Sequence, residues 1–315
     1  LRMASLSKRL SGLLYPFKLV RDSFRVWRLF RSVRADILHV NDIYLLAGVS
    51  VSFIRDVRLV QHCRLLRSSY IGLAYSFFSG LVCARAKRVI AVSEAVRADL
   101  GDHQNVRVIF DAIDGAETPP EKVYRDHSQD CRFLYVGNFV RGKGHDLAIA
   151  AFSRVVERYP LFRMNMVGVG ANGELDPGFV RSLRESIAQK DLSDRVLLLP
   201  AVAEIESAMK SADVVVNLSE SESFSMVCLE ALTYGVPLVA SDCGGPREIL
   251  GDGRFGLLVR NRDPGDAAEA MLKLATNPAW AEDMGRRGAA HARESFNMIV
   301  SSRKLANLYD EVMRS

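Results

Sequence analysis

The chain has 315 residues, enough for about two domains of ordinary size, and its balance of apolar (49%) to charged (25%) residues is that of a globular protein. No run nears the ~20 uninterrupted apolar residues of a membrane span. The five cysteines (Cys63, Cys83, Cys131, Cys228, Cys243) are odd in number, widely spaced and lack a C-x-x-C pair, which argues against a disulfide framework or zinc site and for a reducing compartment.

The net charge of +5 is uneven: residues 1–34 hold nine Lys or Arg and one acid, Asp22, a local charge of +8, while the rest hold 33 basic and 36 acidic side chains, or −3. Basic charge confined to one end, without base-reading motifs, disfavours nucleic-acid binding. Residues 5–34 read as a helix, because Leu10, Leu13, Leu14, Phe17, Val20, Phe24, Trp27 and Phe30 recur mostly at three- and four-residue steps. Pro16 is expected to divide it. A basic face beside Leu, Phe and Trp suits an anionic membrane surface; the plainer alternative is a core helix with a solvated basic side. The chain opens with Leu1 and shows no cleavable signal pattern.

Beyond this helix the chain alternates. Short apolar runs at 36–40, 58–62, 88–92 and 106–110 read as strands, with helices at 70–84 and 93–100 between them. Residues 115–130 are polar, carry Pro119–Pro120, and read as a linker at 116–130. A second series follows, with strands at 133–137, 163–168, 196–199, 213–218, 237–240 and 256–259. Its helices fall at 146–158, 177–190, 226–234, 266–276 and 279–314. The expected fold class is α/β, with two Rossmann-like doubly wound domains, about 1–115 and 131–315, facing a cleft in which a ligand would sit at the strand ends.

Two segments carry chemistry. The first is Gly137-Asn138-Phe139-Val140-Arg141-Gly142-Lys143-Gly144, after a strand and opening a helix. Its glycines let backbone approach a ligand, and the helix N-terminus offers free N–H groups to a phosphate. The spacing nearly spells a P-loop, but Gly144 stands where the Ser or Thr hydroxyl is needed, and it is not the dinucleotide G-x-G-x-x-G pattern either. A simple strand–helix turn is the plain alternative.

The second runs from Ser219 to Ala240. Glu222 sits in a polar loop after a strand, and Glu230 lies about one turn inside the next helix. The N–H groups near Ser223, Phe224, Ser225 and Met226 fall between them. Two carboxylates flanking a helix N-terminus suit a ligand with hydroxyls at two places and phosphate in the middle. Glu230 has apolar neighbours, so its carboxylate is unlike that of a freely solvated helix residue.

With these motifs in this order, the chain resembles the family 4 glycosyltransferases, retaining enzymes of the GT-B fold. The resemblance rests on the E-x7-E pattern (Glu222, Glu230), Gly235-Val236-Pro237-Leu238-Val239-Ala240-Ser241, Gly244-Gly245-Pro246-Arg247-Glu248-Ile249, Gly256-Leu257-Leu258-Val259 and Asp263-Pro264. Ala91–Val96 and Ile109–Asp114 resemble further family segments, and the likeness covers roughly residues 30–312.

The resemblance implies a nucleotide-diphosphate sugar as donor substrate, no separate cofactor and no metal. Lys143 would contact the diphosphate, Glu230 the ribose hydroxyls, and Glu222 the transferred sugar. Gly137, Asn138 and Arg141 would complete the donor loop. Arg64, just after the 58–62 strand, would stand beside the donor sugar, with His62 one pleat below; His62 also reads as a core histidine. The acceptor is expected to be a glycan or lipid-linked intermediate of the cell envelope, and the location cytoplasmic, peripheral at the inner face of the plasma membrane.

The chain departs from the family pattern at Asn138, where an Arg is usual, and at Ser223 and Ser225, where glycines are usual. If the second of those glycines takes a positive φ, Ser225 is strained. An N-terminal strand and Gly-rich loop usual in the family are expected to be missing. These departures support one alternative to the transferase, a truncated or inactive nucleotide-sugar-binding module; a sugar-nucleotide epimerase of the same fold is another. A nicotinamide-dependent dehydrogenase finds no fingerprint at any strand–helix turn.

Overall fold

The computed structural model describes residues 2–43, 45–54, 57–69, 72–114, 130–168, 176–200 and 205–314. All but the last residue of the expected linker at 116–130, and the expected helix start at Tyr70, lie outside the described residues. The chain forms two compact units, one of residues 1–109 and 302–315, the other of residues 110–301.

The N-terminal unit runs α1 (Arg2–Ser32), β1 (Ile37–Asn41), α2 (Leu46–Ile54), β2 (Arg58–Cys63), a 3-10 turn (Arg67–Ser69), α3 (Gly72–Arg85), β3 (Arg88–Ala91), α4 (Glu94–Leu100) and β4 (Val106–Val108). Its four strands are parallel and stand in chain order. The strands are short, apolar and β-branched, as strands covered on both faces must be. Ser93 starts α4 by accepting the Val96 N–H at 3.0 Å. One expectation fails here: α1 is a single helix that continues through Pro16. A proline removes one backbone hydrogen bond; here the turns on either side carry the helix across that gap, and it packs against α2.

The C-terminal unit runs β5 (Arg132–Val136), α5 (His145–Arg158), β6 (Arg163–Gly168), α6 (Pro177–Gln189), β7 (Val196–Pro200), α7 (Ile205–Ser211), β8 (Val214–Asn217), α8 (Met226–Thr233), β9 (Leu238–Ser241), α9 (Gly245–Ile249), β10 (Leu257–Val259), α10 (Pro264–Ala275) and α11 (Pro278–Ser295). A last helix, α12 (Met298–Arg314), begins in this unit and ends in the other. The six strands are all parallel, in the order β10-β9-β8-β5-β6-β7. From β5 the chain winds outward through β6 and β7, then returns to the other side of β5 with β8. The winding therefore reverses between β5 and β8, and such a reversal leaves a crevice at the strands' C-terminal ends.

Local chemistry explains several helix starts. Asp176 accepts the N–H groups of Gly178 and Phe179 at 2.9 and 3.2 Å, and Asp263 those of Gly265 and Asp266 at 2.9 and 3.0 Å, each with a proline at the first helical position. The core beneath them packs Phe133 of β5, Phe152 of α5, Phe162 of the turn before β6, and Met164 and Met166 of β6 against Met271 and Leu274 of α10.

Two expectations at the C-terminus are corrected. The helix expected over 279–314 is broken at Phe296–Asn297. There Phe296 packs against Phe110, Phe224 and His291, and Asn297 starts α12 by accepting the Val300 N–H at 2.9 Å. The expected domain 131–315 also ends too late. Leu308 and Val312 are buried with Val60, Ile90 and Ile109 in the N-terminal unit, and Tyr309 meets His39 there at 2.6 Å. Residues 302–315 thus belong with the first sheet.

Candidate functional site

Both chemically suggestive segments lie where the winding reverses. The Gly137–Gly144 segment leaves β5 and enters α5, and the Leu218–Ser225 segment leaves β8 and enters α8. The topology thus brings residues some 80 positions apart to neighbouring strand ends. Two helix N-termini open there, and the first-turn N–H groups of each have no intrahelical acceptor.

Side chains tie the two loops together. Lys143 Nζ stands 2.7 Å from Glu222 Oε1, with the Lys143 side chain 35% and the Glu222 side chain 15% exposed. The Glu220 N–H donates to the Gly142 carbonyl at 2.9 Å. Tyr135, buried on β5, donates its hydroxyl proton to the Lys143 carbonyl and accepts the Leu218 N–H at 3.2 Å. Gly144, at φ +73°, has no room for a side chain, since a Cβ there would collide with the Leu218 carbonyl.

Glu222 is held on a third side. Its N–H donates to the Cys243 carbonyl at 3.3 Å and its carbonyl accepts the Gly245 N–H at 2.8 Å, so the turn between β9 and α9 fixes its backbone. Burial, with the Glu222 charge close by, pushes the Cys243 thiol up to about 12. Glu230 lies on α8, partly buried, and burial holds its carboxyl above the usual range.

Ser225 does adopt the glycine-like conformation, at φ +86° and ψ +86°. Its hydroxyl oxygen accepts from Asn217 Nδ2 at 3.2 Å and from the Cys228 N–H at 3.4 Å, capping α8. Asn217 also accepts the Ser219 N–H at 3.2 Å. The Phe224 ring is buried, stacked on Phe110 at 5.8 Å, so only its backbone faces the site. Ser223 is partly buried, whereas Met226 and Asn138 are exposed. The Arg141 guanidinium lies over the Phe179 ring at 5.3 Å, a cation–π contact.

Arg64 belongs to the other unit, one residue past β2 and half-buried. Beside it, His62 is pushed down to about 3 by burial, the Arg64 charge and His39, whose ring centre lies 5.6 Å away. His62 is therefore neutral near pH 7.

Sequence reasoning does not single out Tyr135, Asn217 or His145. His145 is fully buried against Tyr135 and Phe139, with Nε2 3.3 Å from the Gly137 carbonyl. Burial lowers its pKa to about 4, so it is neutral and Nε2–H donates to that carbonyl. A polar side chain inside an apolar strand is the only sequence signal for Tyr135 and Asn217.

Chemically, one lysine, the Glu222 carboxylate and two helix N-termini meet at the reversal point, with Glu230 about a turn inside α8. The arrangement suits an anion flanked by hydroxyl-bearing groups.

Comparison with known proteins agrees in kind. Residues 121–291 match the family described as glycosyl transferases group 1, and residues 4–109 match a glycosyl transferase 4-like domain. The chain is 33% identical over 223 residues to a D-inositol 3-phosphate glycosyltransferase of Pseudarthrobacter chlorophenolicus, covering 67% of this chain and 52% of that protein. It is 39% identical over 166 residues to the protein of that name from Paenarthrobacter aurescens, covering 52% and 40%. The chain thus spans about half the length of the curated relatives it matches. Its fold superposes on Anabaena Alr3699/HepE, solved with UDP and glucose, with a TM-score of 0.81 at 21% identity, covering 92% of this chain and 81% of that one.

Proposed function

The chain belongs to the group 1 glycosyl transferases, and on that premise we propose that it transfers a sugar from a nucleotide-diphosphate sugar to an acceptor hydroxyl. The observation that carries the reading is the meeting of Lys143 and Glu222 at the point where the winding reverses, 2.7 Å apart. The class of donor draws support from the UDP and glucose held by Anabaena HepE.

In this reading the diphosphate sits against Lys143 and the first turn of α8, whose N–H groups at Met226 and Val227 have no intrahelical acceptor. Glu230 accepts hydrogen bonds from the ribose hydroxyls, and Glu222 from the transferred sugar. The lysine and the helix end supply the positive charge that the leaving diphosphate needs, and no metal is invoked. The acceptor oxygen bonds to the anomeric carbon on the face from which the diphosphate departs. The carbon–oxygen bond to the diphosphate breaks, and a diphosphate oxygen takes the acceptor proton. The configuration is retained.

The acceptor is a glycan or lipid-linked envelope intermediate, met at an anionic membrane surface. Among the described residues, no helix is long and apolar enough to cross a membrane. In support of a surface role, α1 exposes Phe17, Val20 and Phe24 at helical spacing, beside exposed Lys18, Arg21, Arg25 and Arg28. Cosedimentation with phosphatidylserine-containing vesicles, lost on Phe24→Ser with Arg25→Ser, tests this; equal recovery with neutral vesicles would sink it.

The donor reading is tested by thermal denaturation with UDP, GDP and ADP. Ligand at about 100 times its Kd adds ~2.7 kcal/mol of stability. One nucleotide should raise the melting temperature of the unaltered protein, and at the same concentration Lys143→Ala and Glu230→Ala, with weakened affinity, should lose most of the rise. A folded protein indifferent to all three nucleotides would overturn the reading.

A further inference from the structure

We propose that the Tyr135 hydroxyl is a positioning group for Lys143, setting the lysine where the donor diphosphate binds; the proposal rests on the donor-site reading above. Tyr135 lies within β5, and its ring is buried. Its hydroxyl meets the two loops that form the site. It donates to the carbonyl of Lys143 itself and accepts the Leu218 N–H, the first peptide beyond β8, at 3.2 Å.

A single oxygen therefore ties the lysine's own backbone to the end of the neighbouring strand. Around it the packing leaves no slack. A Cβ on Gly144 would stand 3.0 Å from the hydroxyl, besides colliding with the Leu218 carbonyl. The His145 ring packs on the Tyr135 ring, with centres 4.9 Å apart, and holds the Gly137 carbonyl at the other end of the same loop. The loop is thus anchored at both ends, through Tyr135 and His145.

Other links join the loops here: the Glu220 N–H bond to the Gly142 carbonyl, which holds the residue before the lysine, and the lysine's own ion pair with Glu222, which cannot set its position alone. In the donor reading the lysine must turn toward the diphosphate, and the ion pair weakens as it does so. The partners of the Tyr135 hydroxyl are backbone groups, which a turn of the lysine side chain leaves in place.

Tyr135→Phe keeps the ring and removes the oxygen, leaving a buried N–H and a part-buried carbonyl without their partner. The expected result is a Kd for the stabilising nucleotide raised about tenfold, measured by calorimetry with whichever of UDP, GDP and ADP stabilises the unaltered protein. Because the hydroxyl acts through Lys143, its effect should largely vanish in a Lys143→Ala background, titrated to millimolar nucleotide. A merely structural role would give additive effects instead.

Phe152→Leu, in the core of α5, is the control for general loss of stability. It should lower the melting temperature yet leave the Kd unchanged. An unchanged Kd in Tyr135→Phe, additive effects in the double variant, or an equal rise in Phe152→Leu would each overturn the proposal while leaving the donor site standing. Failure of the unaltered protein to bind any of the three nucleotides would overturn the donor-site reading and this proposal together.

Discussion

Lys143 and Glu222, 79 positions apart in the chain, form a 2.7 Å ion pair across the two loops that open at the winding reversal. In the donor-site reading proposed above, a diphosphate would claim the lysine of this pair, and the pair would compete with that ligand.

Glu222→Gln separates the two roles. The amide keeps the size of the side chain and removes its charge, which frees Lys143. An ion pair with a partly exposed partner is worth ~0–1 kcal/mol, so nucleoside diphosphate binding should stay level or tighten by up to about fivefold. Sugar transfer, which in this reading needs the carboxylate against the sugar, should fall by about 100-fold or more. Calorimetry and initial rates on one preparation decide the matter. A large loss of nucleotide affinity would show that Glu222 holds the nucleotide and not the sugar.

Gly142 and Gly144 share a loop and a positive φ, at +84° and +73°, but differ in their surroundings. A Cβ on Gly142 meets open space, whereas one on Gly144 runs into the Leu218 carbonyl. Gly142→Ala should cost ~1–2 kcal/mol, the strain of the left-handed region alone. Gly144→Ala adds a collision with backbone that cannot swing aside and should cost ~3 kcal/mol or more. Urea midpoints for the pair test this ordering, and equal shifts would mean that the strand end yields.

Much of this site is legible in the sequence because its chemistry is local. Glycines and a lysine after an apolar run mark the first loop, and Glu222 and Glu230 fall seven residues apart around a helix start. Ser93, at the head of the helix expected over 93–100, is legible for the same reason, since it caps the Val96 N–H three residues ahead. Tyr135 and Asn217 escape notice because their partners are distant or backbone groups, and inside apolar strands they read as core. The break at Phe296 has a similar origin. Its periodicity continues into α12, and only the packing of Phe110, Phe224 and His291 shows why the helix stops. Helix α2 is missed for another reason: Leu46–Ile54 is rich in Val and Ser, with no polar face to set a period.

Ser225 offers a reversed order of substitutions. Alanine is normally the better helical residue, yet at φ +86° the glycine is free of strain and also caps better than alanine. Both Ser225→Ala and Ser225→Gly lose the bond from Asn217 and the cap on Cys228. Ser225→Gly should therefore be the more stable of the two by about 1 kcal/mol. Chemical denaturation of the two variants tests the sign, and a more stable alanine variant would refute the strained assignment.

His145 makes the C-terminal unit sensitive to acid. Its folded pKa is depressed to about 4 from 6.5 by burial. The unfolded chain then binds a proton that the folded chain refuses, so stability is full above about pH 6.5 and is lost as pH falls toward 4. At ~1.4 kcal/mol per pH unit, the fall from pH 7 to pH 5 amounts to about 2 kcal/mol from this residue. Carboxylates titrate mostly below that window, and His62, with a pKa of about 3, contributes in the same sense from the other unit. The residue's own share is therefore read as a difference. His145→Gln should lose less stability than the unaltered protein between pH 7 and pH 5, by about 2 kcal/mol, in urea melts at each pH. Parallel curves would mean that His145 titrates in the folded protein as it does in the unfolded chain, contrary to its burial.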